Sequence, residues 1–186
     1  MRATITRAGA TLLLLFAILL VARPLLPSDA PGPGRRGHHA DGDGRPRTER
    51  IWRRSHFPAL RDGDMGTNVL ALQLLLRSRD GRTPVNGRYG DETRRAVSTF
   101  QRDRHLPASG RVDGGTWREL IRPLRDGDES PAVKALQQIL RRKLHAAVHT
   151  TGAFGSGTRS AVARLQRRVG LRPDGVVDDR TWRVLL

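Results

Sequence analysis

The chain repeats itself, and that constrains its fold more than any other feature. Leu60-Arg61-Asp62-Gly63-Asp64 returns letter for letter as Leu124-Arg125-Asp126-Gly127-Asp128, 64 positions later. A matching pattern follows each copy: Val69, Leu72, Gln73 and Leu76 in the first, Val133, Leu136, Gln137 and Leu140 in the second. Further on, Thr93-Arg94, Ala96-Val97, Gln101, Leu106, Gly110, Val112-Asp113 and Thr116-Trp117 recur at a shift of 65. The change of shift places one extra residue in a loop of the second copy. An internal repeat sets the architecture before any local reading does. The period exceeds that of solenoids, so two globular copies are expected, over residues 55–122 and 123–186. A unit of about 60 residues is marginal alone, so the two are expected to pack on each other or to have very regular cores.

Within each copy the periodicity is helical. A first helix is predicted from Thr67 to about Arg77, with Val69, Leu72, Leu75 and Leu76 on one face. Its counterpart opens with Ser130-Pro131, a favoured N-cap followed by a favoured first-turn residue. A second helix is predicted from Asp91 to about Arg104, with acidic Asp91 and Glu92 suited to its N-terminal dipole. Its counterpart begins at Ser156. A short third helix is capped by Asp113 or Asp178 and buries Trp117 or Trp182. No alternating run is long enough for a sheet. The fold class is all-α, two tandem copies of a small three-helix bundle. Leu-Arg-Asp-Gly-Asp is then a turn that marks where each unit begins.

Ahead of the repeats, residues 1–26 combine a basic start with an apolar stretch from Ala8 to Ala22. That is the form of a signal peptide. Extended through Leu26 it would reach ~28 Å as a helix, near the ~30 Å of a hydrocarbon core, so an uncleaved membrane anchor is equally open. Either places the rest of the chain outside the cytoplasm. Residues 27–54 are rich in Pro, Gly and Arg and nearly devoid of apolar residues, the composition of a disordered linker. Asp41-Gly42-Asp43-Gly44 lacks the later ligands of a calcium loop.

With no cysteine, thiolate metal sites and cysteine nucleophiles are excluded. The net charge is +16, which favours anionic partners. Aromatic residues are only 4% and fall mostly at core positions, which argues against nucleic acid as partner. His145 and His149 have the spacing of a zinc-hydrolase helix, but Ala146 stands where the catalytic Glu would be and the helix should be ending there. No cofactor, metal site or catalytic residue is expected, and no room is left for a catalytic domain after the linker.

The ordered series Phe57-Pro58-Ala59-Leu60-Arg61-Asp62-Gly63-Asp64-Met65-Gly66, Leu72-Gln73, Asn86-Gly87-Arg88-Tyr89-Gly90-Asp91-Glu92-Thr93, Phe100-Gln101 and Val112-Asp113 to Trp117 resembles the peptidoglycan-binding domain of bacterial wall hydrolases. The second copy is similar through Gly152-Ala153-Phe154-Gly155, Leu165-Gln166 and Pro173-Asp174-Gly175. The resemblance implies a non-catalytic three-helix module that holds the wall polymer in a shallow groove. The candidate contacts are Asn86, Arg88, Tyr89, Asp91 and Thr93, with Phe154, Ser156 and Thr158 in the second copy. Tyr89 and Phe154 also read as core plugs, and Gln73, Gln101, Gln137 and Gln166 as partners of loop backbone. The family usually carries Asp-Gly where this chain has Asn86-Gly87 and Thr151-Gly152, and Ser130 replaces the glycine found at Gly66. The second copy is therefore expected to be the weaker candidate for binding. The expected partner is peptidoglycan, with anionic wall polymers or a wall hydrolase as further possibilities. The membrane is met only through the N-terminal segment. A protein-interaction module of the envelope, or a targeting subunit for a separate hydrolase, is the alternative function.

Overall fold

The computed structural model describes residues 56–186; the N-terminal apolar segment and the linker lie outside them. Six helices follow in order: α1 Thr67–Asp80, α2 Asp91–Asp103, α3 Gly114–Leu120, α4 Pro131–Leu144, α5 Ser156–Val169 and α6 Asp179–Leu185. They form two three-helix units, and the described strands amount to single antiparallel bridges, Leu60–Val112 and Met65–Arg88 with their equivalents Leu124–Val177 and Glu129–Ala153. None of these helices is long and apolar enough to cross a membrane.

The helix ends are where the capping chemistry puts them. Ser130 Oγ accepts from Val133 N at 3.2 Å, with Pro131 opening the helix behind it. Asp113 and Asp178 each accept from the backbone N–H of the third helical residue, Thr116 at 2.7 Å and Thr181 at 2.8 Å. These backbone bonds favour the ionised carboxylate and lower the pKa of Asp113. At the other ends, cations face the last carbonyls. Arg79 Nη2 donates to Glu119 O and Leu120 O, and the equivalent Lys143 Nζ donates to Leu185 O and Leu186 O. Positive charge at a helix C-terminus is favourable.

In each unit one tryptophan lies at the centre. Trp117 and Trp182 are fully buried, and their indole N–H groups donate to Pro58 O at 2.7 Å and Arg122 O at 2.8 Å. A buried indole needs such a partner, and here the partner is the segment that leads into the unit. The Leu-Arg-Asp-Gly-Asp turn follows directly. Asp64 Oδ2 accepts from Arg61 N and Asp128 Oδ2 from Arg125 N, both at 2.8 Å.

The first helices carry more than their own cores. Val69, Leu72, Leu75 and Leu76 are buried as the period requires, but so are Ala71 and Leu74. A one-faced helix would leave those exposed. They are covered because α1 packs along α4, the most extensive helix–helix contact of the described chain. Leu75 and Arg79 share a cavity with Ser130 and Ala132. At the other end, Asn68 and Lys143 both donate to Leu186 O. The two helices therefore run antiparallel. Ala71 and Ala135 occupy equivalent positions and are both fully buried; small side chains there let the helices approach. Phe57 adds to the union, stacking on Trp117 with ring centroids 6.4 Å apart while the guanidinium of Arg183 lies 5.6 Å from its centre.

Four buried glutamines then fasten the loops. Gln73 Nε2 donates to Arg88 O and Thr93 Oγ1, both at 2.9 Å, and its Oε1 accepts from Gly87 N at 2.8 Å. Gln101 does the same for Arg111 O, Thr116 Oγ1 and Gly110 N. Gln137 serves Ala153 O, Thr158 Oγ1 and Gly152 N. Gln166 serves Val176 O, Thr181 Oγ1 and Gly175 N. Each glutamine thus holds the loop before the next helix and the third residue of that helix. The glycine in each loop has positive φ, between +66 and +91, a region that suits glycine. The residue before it closes the turn, as when Asn86 Oδ1 accepts from Arg88 N and Asp174 Oδ1 from Val176 N. Asn86-Gly87, Ser109-Gly110, Thr151-Gly152 and Asp174-Gly175 are four versions of one device.

Replacing Gln101 by Leu strands Gly110 N and Arg111 O in the interior. It should cost about 1–3 kcal/mol for each group left unpaired, read as a lower urea midpoint. His145 and His105 have φ of +50 and +55, where the other copy has Gly81 and Gly170. His145→Gly relieves a left-handed residue and should raise stability by up to about 1 kcal/mol; a fall in melting temperature would contradict this account.

Candidate functional site

The Leu60–Met65 segment lies between two loops and joins them. Leu60 N donates to Val112 O at 3.0 Å on one side; Gly63 N donates to Tyr89 O at 2.9 Å and Tyr89 N to Asp64 O at 2.8 Å on the other. Beneath, the Tyr89 hydroxyl donates to Gly110 O at 2.8 Å, closing the triangle. The surface above this joint in repeat 1 is a shallow cavity of about 590 Å³. Buried Leu60 and Val112 form its base, and Arg61, Asp64, Ser109, Arg111 and Asp113 its rim. The Met65–Arg88 bridge sets Arg88 beside Met65 next to this rim. Met65 is 67% exposed, the exposed large hydrophobic side chain among the described residues.

Such a surface offers the guanidinium groups of Arg61 and Arg111 for carboxylates, beside the carboxylates of Asp64 and Asp113, and one apolar contact at Met65; its loop amides are spent on bonds within the fold. It offers no poised nucleophile. α4 ends at Leu144, so His145 and His149 follow the helix rather than sharing a face of it. Among the described residues no group of three His, Cys, Asp or Glu is placed to hold a metal ion.

Comparison with known proteins agrees with this geometry. Residues 65–120 and 129–185 each match the family described as "Putative peptidoglycan binding domain". Together they account for more than half of the chain. The chain belongs to this family. It is also similar to an uncharacterized protein in the bpoA1 3' region of Kitasatospora aureofaciens, 42% identical over 60 residues. That match covers 32% of this chain and 51% of the relative, so the chain spans about half the length of the curated relative it matches. The peptidoglycan-binding domain is a binding module, not a catalytic one, and both units here are of that kind.

Within this tandem of peptidoglycan-binding domains, the residues expected at the site divide by burial. Asn86, Arg88 and Asp91 are exposed in repeat 1 and Ser156 in repeat 2. Tyr89, Thr93, Phe154 and Thr158 are buried, at 2%, 2%, 2% and 5% exposure. These four side chains are internal and are not presented on the surface as contacts would be. The Thr hydroxyls are taken by Gln73 and Gln137, and the two rings plug the entrance to the second helix. Burial also pushes the Tyr89 phenol pKa well above its ordinary value, with Asp62 and Asp64 adding to the shift. Of the exposed set, Asn86 spends its Oδ1 on the loop and on Gln73. Asp91 is paired with Arg94 at 2.9 Å, and that hydrogen bond lowers the Asp91 pKa. Arg88 is the member with an exposed charge and no carboxylate partner among the described residues.

Reading one loop at a time does not bring Arg61, Ser109 and Arg111 together, because the backbone bonds that gather them span distant parts of the chain. Comparison of the two copies held the signal. The frame is kept in repeat 2, but Glu129 stands for Met65, Ala153 for Arg88, Asp174 for Ser109 and Val176 for Arg111. Residues that hold the fold recur; on the rim Arg61 and Asp64 recur as Arg125 and Asp128, while Ser109 and Arg111 do not.

Tyr89→Phe tests the division. Losing the bond to Gly110 O should lower stability by about 1–3 kcal/mol yet leave retention on peptidoglycan unchanged at temperatures where the variant is folded.

Proposed function

We propose that the protein is an exported, non-catalytic binder of peptidoglycan in which the loop face of repeat 1 contacts the polymer. The observation that carries this reading is the change of charge on a constant frame. The repeat 1 face bears Arg61, Arg88 and Arg111 with an exposed Met65. Its repeat 2 counterpart keeps only Arg125 and adds Glu129 and Asp174 to the shared Asp126 and Asp128. Peptide stems of the wall carry carboxylates, which Arg binds through paired N–H donors. An acidic face repels them. Repeat 2 then acts as the partner that covers α1 and stabilises repeat 1.

The basic start and apolar stretch of residues 1–26 support export, either as a cleaved signal or as a membrane anchor. Anionic wall polymers are natural secondary partners for a chain of net charge +16. A targeting role for a separate wall hydrolase would use the same face, with the enzyme held elsewhere on the protein.

The experiment is sedimentation of the full chain, kept in mild detergent, with peptidoglycan stripped of its anionic polymers over a salt series. Retention at high salt is expected, since close hydrogen-bonded contacts are less screened than diffuse attraction. The Arg88→Ala, Arg111→Ala double variant should bind about tenfold or more weakly, as the loss of two charge-assisted contacts implies. Changes on the corresponding face of repeat 2, Arg125→Ala or Glu129→Ala, should have little effect. If the double variant bound as well as the parent, this face would not be the site.

A further inference from the structure

A second groove occurs in both repeats, between the end of the first helix and the second helix. In repeat 1 it measures about 370 Å³, with Leu76, Ala96 and Phe100 at its base and Arg79, Asp80, Arg82 and Asp103 at its rim, so that its charges balance. In repeat 2 it measures about 240 Å³, with Leu140, Ala161 and Leu165 at the base and His145, Arg164 and Arg168 at the rim. The bases correspond position by position. The rims have diverged: Arg168 stands where repeat 1 has Asp103, and Arg164 where it has Thr99.

The divergence extends beyond the groove. From Ser130 to Pro173 repeat 2 carries nine Lys and Arg residues and no Asp or Glu. The equivalent stretch of repeat 1 contains Asp80, Asp91, Glu92 and Asp103. The acids of repeat 2 lie instead at residues 126–129 and 174–179, in its loops and at the start of α6. The charge is thus sorted, positive along α4–α5 and negative on the loops. Arg164 and Arg168 are exposed, one turn apart on α5, and neither has a salt-bridge partner among the described residues. Like charges at i, i+4 destabilise a helix, so folding alone does not favour this arrangement. A polyanion would relieve it.

We propose that the α4–α5 groove of repeat 2 is a second binding site, for a phosphodiester-linked polyol or sugar polymer. Planar guanidinium forks suit phosphate oxygens, and the apolar base at Ala161 and Leu165 accommodates the carbon skeleton between charges. The exposed Arg141, Arg142, Arg167 and Arg172 extend the positive field past the groove, which fits a chain of charges better than a single anion. Nucleic acid is disfavoured because the aromatic residues of repeat 2, Phe154 and Trp182, are both buried and leave no face for base stacking. The proposal rests on the wall-binding reading only for where such a polymer is met.

The test uses the full chain with poly(glycerol phosphate) as probe, its affinity measured over a salt series. Arg164→Gln with Arg168→Gln should weaken binding about fivefold or more and flatten the salt dependence by about one to two released counterions. Arg95→Gln with Arg102→Gln, which removes the same charge from exposed positions of α2, should change affinity by less than about twofold. Equal loss in both pairs would mean diffuse attraction and would overturn the site. Tighter binding of a single-stranded DNA of equal charge would overturn the ligand class. Stripped peptidoglycan provides the separating arm. The groove variant should still sediment with it as the parent does, and failure of the parent to do so would count against the repeat 1 reading alone.

Discussion

The structure depends on a side-chain amide held in the interior. A buried glutamine must have both ends paired, and each of Gln73, Gln101, Gln137 and Gln166 meets that demand with a loop and the helix that follows. The amide faces an N–H and a carbonyl two residues apart or fewer, so it imposes the turn between them. It also reaches the Thr in the first turn of the next helix, so it sets where that helix starts. In a unit of about 60 residues, where burial alone is marginal, such cross-links give short loops a single conformation. The three-helix unit is one device applied twice, and the chain applies the unit twice.

A frame built this way frees its rim to change. The loop residues that satisfy the glutamines do so mainly through backbone atoms, and backbone atoms do not depend on which side chain is present. Arg88 and Ala153 both offer a carbonyl to a glutamine, as do Arg111 and Val176. The side chains can therefore differ at no cost to the loop. The same applies to the groove beside the second helix, where Phe100 and Leu165 keep the base while Asp103 gives way to Arg168 at the rim. Two surfaces on one scaffold have consequently acquired different charge in the two copies.

Pairing of the units is the other structural commitment. α1 is apolar on two faces because it serves its own core and the α1–α4 contact together, and Ala71 and Ala135 keep that contact close. Phe57 and Arg183 bring the leading segment of repeat 1 and the last helix of repeat 2 into the same contact. The two peptidoglycan-binding domains are therefore one packed body over the described residues, and a change on one copy is felt through the other.

The sequence by itself determined the repeat, the six helices and most of their ends, because capping and periodicity are local and the chain states each of them twice. The buried tryptophans and the structural role of the glutamines were legible for the same reason. Two things were decided only in three dimensions. One is the second buried face of α1, since periodicity within a helix does not say what covers its far side. The other is which loop residues are internal and which exposed. Tyr89 and Thr93 sit in the most motif-like loop yet are internal, while bridges from Leu60 to Val112 and Met65 to Arg88 draw three loops of ordinary sequence together. Local chemistry sets what each segment becomes; long-range hydrogen bonds set which side chains share a surface.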